Sequence, residues 1–182
     1  MCSKGSAYNR TYIKSENPII SAVIPAYNCE KTIERTIRSI QYQNMLDLEI
    51  IVVNDFSSDS TFTKVKNLQL KDPRIKILNN TKNMGTFYSR CVGFLESTGK
   101  YVLEIDNDDL FSESDVFDTL YEQTEEESFD IISFLALAVY YSSQFEDDTL
   151  TFIPNKTTNI VLYQSWVSIL IKNLILFMEI KL

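Results

Sequence analysis

The chain has no histidine among its 182 residues. That removes the usual acid and base of neutral pH, a Ser-His-Asp triad and any His-bearing zinc site. Its three cysteines, Cys2, Cys29 and Cys91, are odd in number and not closely spaced, so they form neither a disulfide scaffold nor a thiolate metal cluster. A reducing compartment is the simplest setting. With only four glycines, neither G-x-G-x-x-G nor G-x-x-x-x-G-K-[ST] occurs, and NAD-type and P-loop phosphate cradles are excluded. Positive charge is scarce too. Lys and Arg total 17 against 25 Asp and Glu, a net charge of −8, which argues against nonspecific binding to nucleic acid or anionic lipid. An anionic ligand then needs a cation or backbone amides to shield it.

Long apolar runs are also missing. The polar leader, residues 1–17, holds no apolar core of the kind a signal peptide requires. The most apolar tract, Ile160 to Leu182, is broken by Gln164, Ser165, Ser168, Lys172 and Asn173. A membrane span takes about 20 predominantly apolar residues, so a buried amphipathic helix is expected there and no transmembrane segment. The sequons at Asn9, Asn79 and Asn155 have no secretory signal to act with. The expected location is cytoplasmic, with peripheral membrane association left open.

What is present fits a globular domain, at 45% hydrophobic and 23% charged residues. Ile19 to Ile24 reads as a buried strand ended by Pro25, and Ile33, Ile37 and Ile40 mark one face of a helix. Glu49 to Val53 is a second strand, and Ser57-Ser58-Asp59-Ser60 offers capping side chains to a helix carrying Phe62, Val65 and Leu68. Ile75 to Leu78 is a third strand. A helix from Met84 to Leu95 places Phe87, Cys91, Phe94 and Leu95 on one face, and Gly99 precedes the strand Tyr101 to Ile105. Val116, Phe117, Leu120 and Tyr121 suggest a further helix, with Glu125-Glu126-Glu127 as its solvated end, and Ile131 to Tyr141 a further strand. Continuous apolar strands alternating with helices predict an α/β fold, a mainly parallel sheet with helices on both faces. No repeat or linker divides residues 18–182.

In such a sheet ligands bind beyond the carboxyl ends of the strands, where the strand order reverses. The segments that follow the strands are polar and acidic. Asp106-Asn107-Asp108-Asp109 puts three carboxylates in four residues directly after a strand. They repel one another unless a cation or water screens them, and a divalent metal shared with substrate phosphates suits them. A solvated turn whose Asp109 caps the next helix competes with that reading on even terms. Asp55 suits an N–H of a bound base or ribose, or an Asx-turn. Gly85 opens a helix whose Arg90 suits either a phosphate or a surface ion pair.

Taken in order, these blocks resemble the N-terminal part of a family 2 glycosyltransferase of the GT-A (Rossmann-like) type. Val23-Ile24-Pro25-Ala26-Tyr27-Asn28 resembles the opening "V-I-P-x-Y-N", and Glu49 to Thr61 resembles "E-I-I-V-V-D-D-G-S-x-D-x-T". Asn83-Met84-Gly85 with Arg90 and Gly93 is similar to "N-x-G…A-R-N-x-G", and Gly99 to Asp109 to "G-E-Y-I…D-x-D-D". The resemblance implies transfer of a sugar from a nucleotide-diphospho-sugar, a UDP-sugar, to an acceptor hydroxyl with inversion, supported by Mg²⁺ or Mn²⁺. It implies that Pro25, Tyr27 and Asp55 line the base and ribose pocket, with Arg90 among the donor-binding residues. Asp106 and Asp108 would be the D-x-D pair, Asp108 the direct metal ligand and Asp106 nearer the ribose or a metal-bound water.

Two departures stand out. Asn54 replaces the usual first Asp and Phe56 the usual Gly. No catalytic base is evident, since Glu146-Asp147-Asp148 reads as a solvated loop, and the acceptor half of the domain is expected to be short or truncated. The competing expectation is a non-catalytic sugar-nucleotide-binding module or an inactive fragment.

Overall fold

The computed structural model describes residues 10–126, 131–135, 161–162 and 174–179. The strands are β1 (Ile20–Ala26), β2 (Leu48–Asn54), β3 (Ile75–Asn79), β4 (Tyr101–Glu104), β5 (Ile131–Leu135), β6 (Val161–Leu162) and β7 (Leu174–Glu179). The helices are α1 (Ile33–Gln41), α2 (Thr61–Gln69), α3 (Thr86–Leu95) and α4 (Val116–Glu126). One sheet runs β3-β2-β1-β4-β7-β5-β6. Its first four strands are parallel, and β7, β5 and β6 are added antiparallel. The chain steps outward from β1 to β2 and β3, then returns to place β4 on the other side of β1. The order therefore reverses between β1 and β4, which makes the crevice above that pair the expected ligand position.

The strands are buried runs because helices cover both faces. On one face Ile33, Ile37 and Ile40 of α1, Val65 and Leu68 of α2, and Phe117 and Leu120 of α4 pack on Ile20, Ala22, Ile24, Ile50, Val52 and Leu103. On the other, α3 lies over Val23, Ile51, Val53 and Val102, with Val92 and Phe94 against them. That approach is close because of Gly93: a Cβ there would stand 2.2 Å from Val23 Cγ1. Pro25 continues β1 instead of ending it, paired with Val53. Its backbone is turned toward β4, where the ladder has already stopped at Val23 and Glu104, so the missing N–H leaves no ladder bond unmade.

Three further expectations are corrected. The apolar face assigned to α3 is only partly its core face: Phe94 packs on the sheet, but Phe87 is 79% and Leu95 85% exposed, while Ser89 and Gly93 are buried. Contact this close to the sheet selects small residues over large ones. Within the tract 160–182, residues 161–162 and 174–179 are strands and not an amphipathic helix. A short apolar run such as Leu174 to Met178 has no period that separates strand from helix, and pairing with β4 and β5 decided it. The strand expected over Ile131 to Tyr141 is β5, with 136–141 outside the described residues, as are 163–173 and the Glu146-Asp147-Asp148 loop. Asp109 caps no helix, because α4 begins at Val116. At α2 the cap bond comes from Asp59, whose Oδ1 accepts from Thr61 N at 2.9 Å, and Ser60 makes no side-chain cap bond. Among the described residues no helix is long and apolar enough to cross a membrane.

Candidate functional site

The loops after β1 and β2 are fastened to each other. Asp55 N donates to Ala26 O (2.8 Å), Asn28 N to Ser57 Oγ (3.1 Å) and Ser58 N to Asn28 Oδ1 (2.8 Å). Deeper in, Cys29 N donates to Thr61 Oγ1 (2.8 Å) and Glu30 N to Asp59 Oδ2 (3.0 Å). Asn28 and Phe56 pay for this double turn with positive φ, 46° and 63°. Phe56 thus holds the left-handed conformation that a glycine would take freely, at a cost of about 1–2 kcal/mol. Asn54 keeps a turn-forming role despite replacing Asp. Its Oδ1 accepts from Ser57 N at 3.2 Å and its Nδ2 donates to Asn79 Oδ1 at 2.9 Å.

The acidic turn after β4 is held from two sides. Asn107 Nδ2 donates to Pro25 O at 2.9 Å, tying the turn to the end of β1. The Thr36 hydroxyl of α1 meets the carbonyls of Asn107 and Asp109 at 2.9 and 2.7 Å, and Arg35 Nη2 donates to Asp108 O at 3.1 Å. Between this turn and the β1 loop lies a cleft of about 390 Å³ bordered by Tyr27, Cys29, Lys31, Asp59, Asn107 and Asp108 among others. It sits at the β1/β4 reversal. Burial, together with the charges of Asp108 and Asp106, raises the Asp109 carboxyl above its ordinary value, against the pull of Arg35. Burial also pushes the Cys29 thiol up, which leaves it an inert lining group.

The expected site residues fall into four places. Tyr27 and Asp108, both exposed, border the cleft. Pro25 is a buried strand residue that offers its carbonyl. Asp55 is 3% exposed, and its carboxylate organises the approach to α3. Oδ1 accepts from Asn80 Nδ2 (2.7 Å) and Met84 N (2.8 Å), and Oδ2 from Gly85 N (2.8 Å). Burial opposes that charge, but the bonds from Asn80, Met84, Gly85 and Ser89 outweigh it and hold the carboxyl below the usual range. Arg90 and Asp106 are brought together, with Nη2 and Oδ1 at 2.7 Å.

The sequence reading missed Glu104, which forms an ion pair with the same Arg90 guanidinium. Burial lifts its carboxyl to about 7, Arg90 pulling it down and Asp106 pushing it up. The available signal was a charge inside the otherwise apolar Tyr101 to Ile105. Asn80 and Asn107 were also missed, and only the tertiary contacts distinguish them from other loop asparagines.

The model of glycosyl transferase family 2 matches residues 21–177. The chain belongs to this family. A family relative from Campylobacter jejuni, named GalNAc(5)-diNAcBac-PP-undecaprenol beta-1,3-glucosyltransferase, is 41% identical over 93 residues, 50% of this chain and 30% of the relative. An Escherichia coli relative, named UDP-Glc:alpha-D-GlcNAc-diphosphoundecaprenol beta-1,3-glucosyltransferase WfgD, is 34% identical over 93 residues, 51% of this chain and 36% of the relative. The chain thus spans about a third of the length of these curated relatives. Among solved structures, Staphylococcus aureus TarS 1–349 in complex with UDP-GlcNAc matches with TM-score 0.58 and 27% identity, over 62% of this chain and 32% of that one. The mannosyltransferase PcManGT from Pyrobaculum calidifontis, in complex with GDP-Man and Mn²⁺, shares the fold at TM-score 0.59 and 20% identity, over 69% of this chain and 39% of that one. The family 2 fold is therefore of the GT-A nucleotide-sugar transferase type.

Proposed function

We propose that this chain supplies the donor-binding part of a glycosyltransferase that moves a sugar from a UDP-sugar to an acceptor hydroxyl with inversion, aided by a divalent cation. The observation that carries the proposal is the cleft at the β1/β4 reversal, where Tyr27 and Asp108 border one volume of about 390 Å³. The names of the E. coli relative and of the TarS complex, which print a UDP-sugar, favour uridine as the base.

The roles follow from position. The half-exposed Tyr27 ring offers an apolar face to a base. Asp55 holds the 80–85 loop, and its Oδ2, with Gly85 N as a hydrogen-bond donor, keeps a lone pair for a base N–H. Pro25, through its carbonyl, and Asn107 fix the acidic turn over the ribose end. Arg90 turns Asp106 toward its own Nη2 and so leaves Asp108 as the outward carboxylate.

A divalent cation such as Mg²⁺ or Mn²⁺ fits this donor set. Among the described residues no hydrogen bond or ion pair engages the Asp108 carboxylate, and no three His, Cys, Asp or Glu groups converge. One or two carboxylates completed by phosphate and water is the arrangement Mg²⁺ favours. Asp108, with Asp106 as the second carboxylate, would hold the ion, and when bound it would supply positive charge to offset that of the departing diphosphate.

Calorimetric titration of UDP in the presence of Mn²⁺ tests the proposal. Asp108→Asn keeps the shape but loses the anion, and it is expected to weaken metal-supported UDP affinity roughly tenfold or more. The apo form should melt at the same temperature or higher, since one of three crowded carboxylates is removed. Equal UDP–Mn²⁺ thermal shifts in wild type and Asp108→Asn would show the acidic turn to be structural. UDP release from a panel of UDP-sugars with acceptors present separates a transferase from a module that binds without turnover.

A further inference from the structure

Arg90 links α3 to the acidic turn, and it meets two carboxylates. Its Nη2 lies 2.7 Å from Asp106 Oδ1, and it forms a second ion pair with Glu104 Oε1 in which the Nε–H is not aligned as a hydrogen bond. The three groups differ in burial. The Glu104 side chain is 9% exposed, Arg90 31% and Asp106 34%. Glu104 is therefore the fixed end of the chain of contacts, anchored at the end of β4 beside β1, and Asp106 is the end nearer solvent. Position on the sheet explains the geometry. Val102 and Glu104 share the face that α3 covers, and Gly93 lets α3 lie so close that Arg90, one turn earlier, reaches the end of β4.

A guanidinium held by ion pairs to two carboxylates has its remaining N–H groups aimed in one direction, because the fork is planar. We propose that Glu104 is a positioning residue of the donor site: it holds Arg90 through their ion pair, and Arg90 in turn fixes Asp106 for the nucleotide sugar. This rests on the donor-site reading above. In this arrangement Arg90 holds one Asp106 oxygen, and among the described residues the other is left for ligand. Without Glu104 the guanidinium is free to turn about its long side chain, and Asp106 loses its fixed partner.

The test compares wild type, Glu104→Leu, Glu104→Gln and Arg90→Lys by titration with UDP in Mn²⁺, alongside their thermal unfolding. Glu104→Leu is expected to lose about tenfold in UDP affinity. Glu104→Gln keeps an acceptor oxygen at the same reach and is expected to remain within about threefold of wild type. Arg90→Lys should be as weak as Glu104→Leu, because a single ammonium cannot hold both carboxylates in fork geometry. A lowered melting temperature with unchanged affinity in Glu104→Leu would make Glu104 a structural ion pair and overturn the proposal. Glu104→Gln as weak as Glu104→Leu would overturn it as well, because charge and not orientation would then matter. If Glu104→Leu fails to fold, Arg90→Lys decides, and wild-type affinity in that variant refutes the chain of contacts. Failure of the wild type itself to bind UDP with Mn²⁺ sinks the donor-site reading and this proposal together. Binding by wild type with indifferent variants sinks this proposal alone.

Discussion

Gly93→Ala is the perturbation that most directly tests how α3 is seated. A Cβ at position 93 would lie 2.2 Å from Val23 Cγ1, 3.3 Å from Val53 Cγ2 and 3.4 Å from Val23 Cβ. Carbon atoms pack at about 3.5–4.0 Å, so the first contact is short by roughly 1.5 Å. Val23 is fully buried and β-branched, between β2 and β4, so it has no alternative rotamer to retreat into without new clashes. The helix must lift instead. Overpacking of this kind costs about 1–3 kcal/mol, against which alanine returns up to about 1 kcal/mol in helix propensity. A net loss of about 1–2 kcal/mol lowers the melting temperature by roughly 2–8 °C in a chain of this size. Differential scanning calorimetry measures it. The second half of the prediction is specific to the contact: Val23→Ala should destabilise the wild type by leaving a cavity yet cost far less in the Gly93→Ala background, because the two changes compensate. Strict additivity of the two substitutions would refute the close-packing argument. UDP affinity adds a further reading, since lifting α3 carries Arg90 away from Asp106 and should weaken it.

Two further outcomes are expected. The Asp55 carboxyl is held low in the folded state, so its contribution is complete above about pH 4, the unfolded value, and fades as pH falls through the lower folded one. Urea unfolding should therefore show a shallower pH dependence below pH 5 in Asp55→Asn than in wild type, with a loss of about 1–3 kcal/mol at pH 7 from the broken bonds to Met84 and Gly85. At the other end of the sheet, Arg74 and Asp72 form an ion pair at 2.9 Å with side chains 1% and 0% exposed. Arg74→Met leaves Asp72 buried without its cation and should cost about 3–5 kcal/mol in chemical denaturation, whereas the double change with Asp72→Asn should recover most of it. Equal stability of the single and double variants would contradict this.

The strands β1 to β4 and the helices between them were legible because each is a run of apolar residues with its own period, stopped by Asn, Asp or Gly. That alternation also forces a parallel sheet, and the parallel sheet places Tyr27, Asp55, Gly85 and Asp106 at one edge. The amino-acid order alone thus determined which edge of the sheet gathers the residues of the proposed donor site. Tertiary structure decided how the work is divided there. Asp55 and Asp108 are both carboxylates after a strand, yet one is held by three donors and the other borders the cleft, and nothing local distinguishes them. Glu104 gains its role from a helix that arrives across the sheet, and that helix sits close only because residue 93 has no side chain. The tract 174–179 became a strand because the free edge of β4 offered hydrogen bonds that its own sequence could not rank against a helix. In each case the deciding partner lies far along the chain, where composition and period carry no information about it.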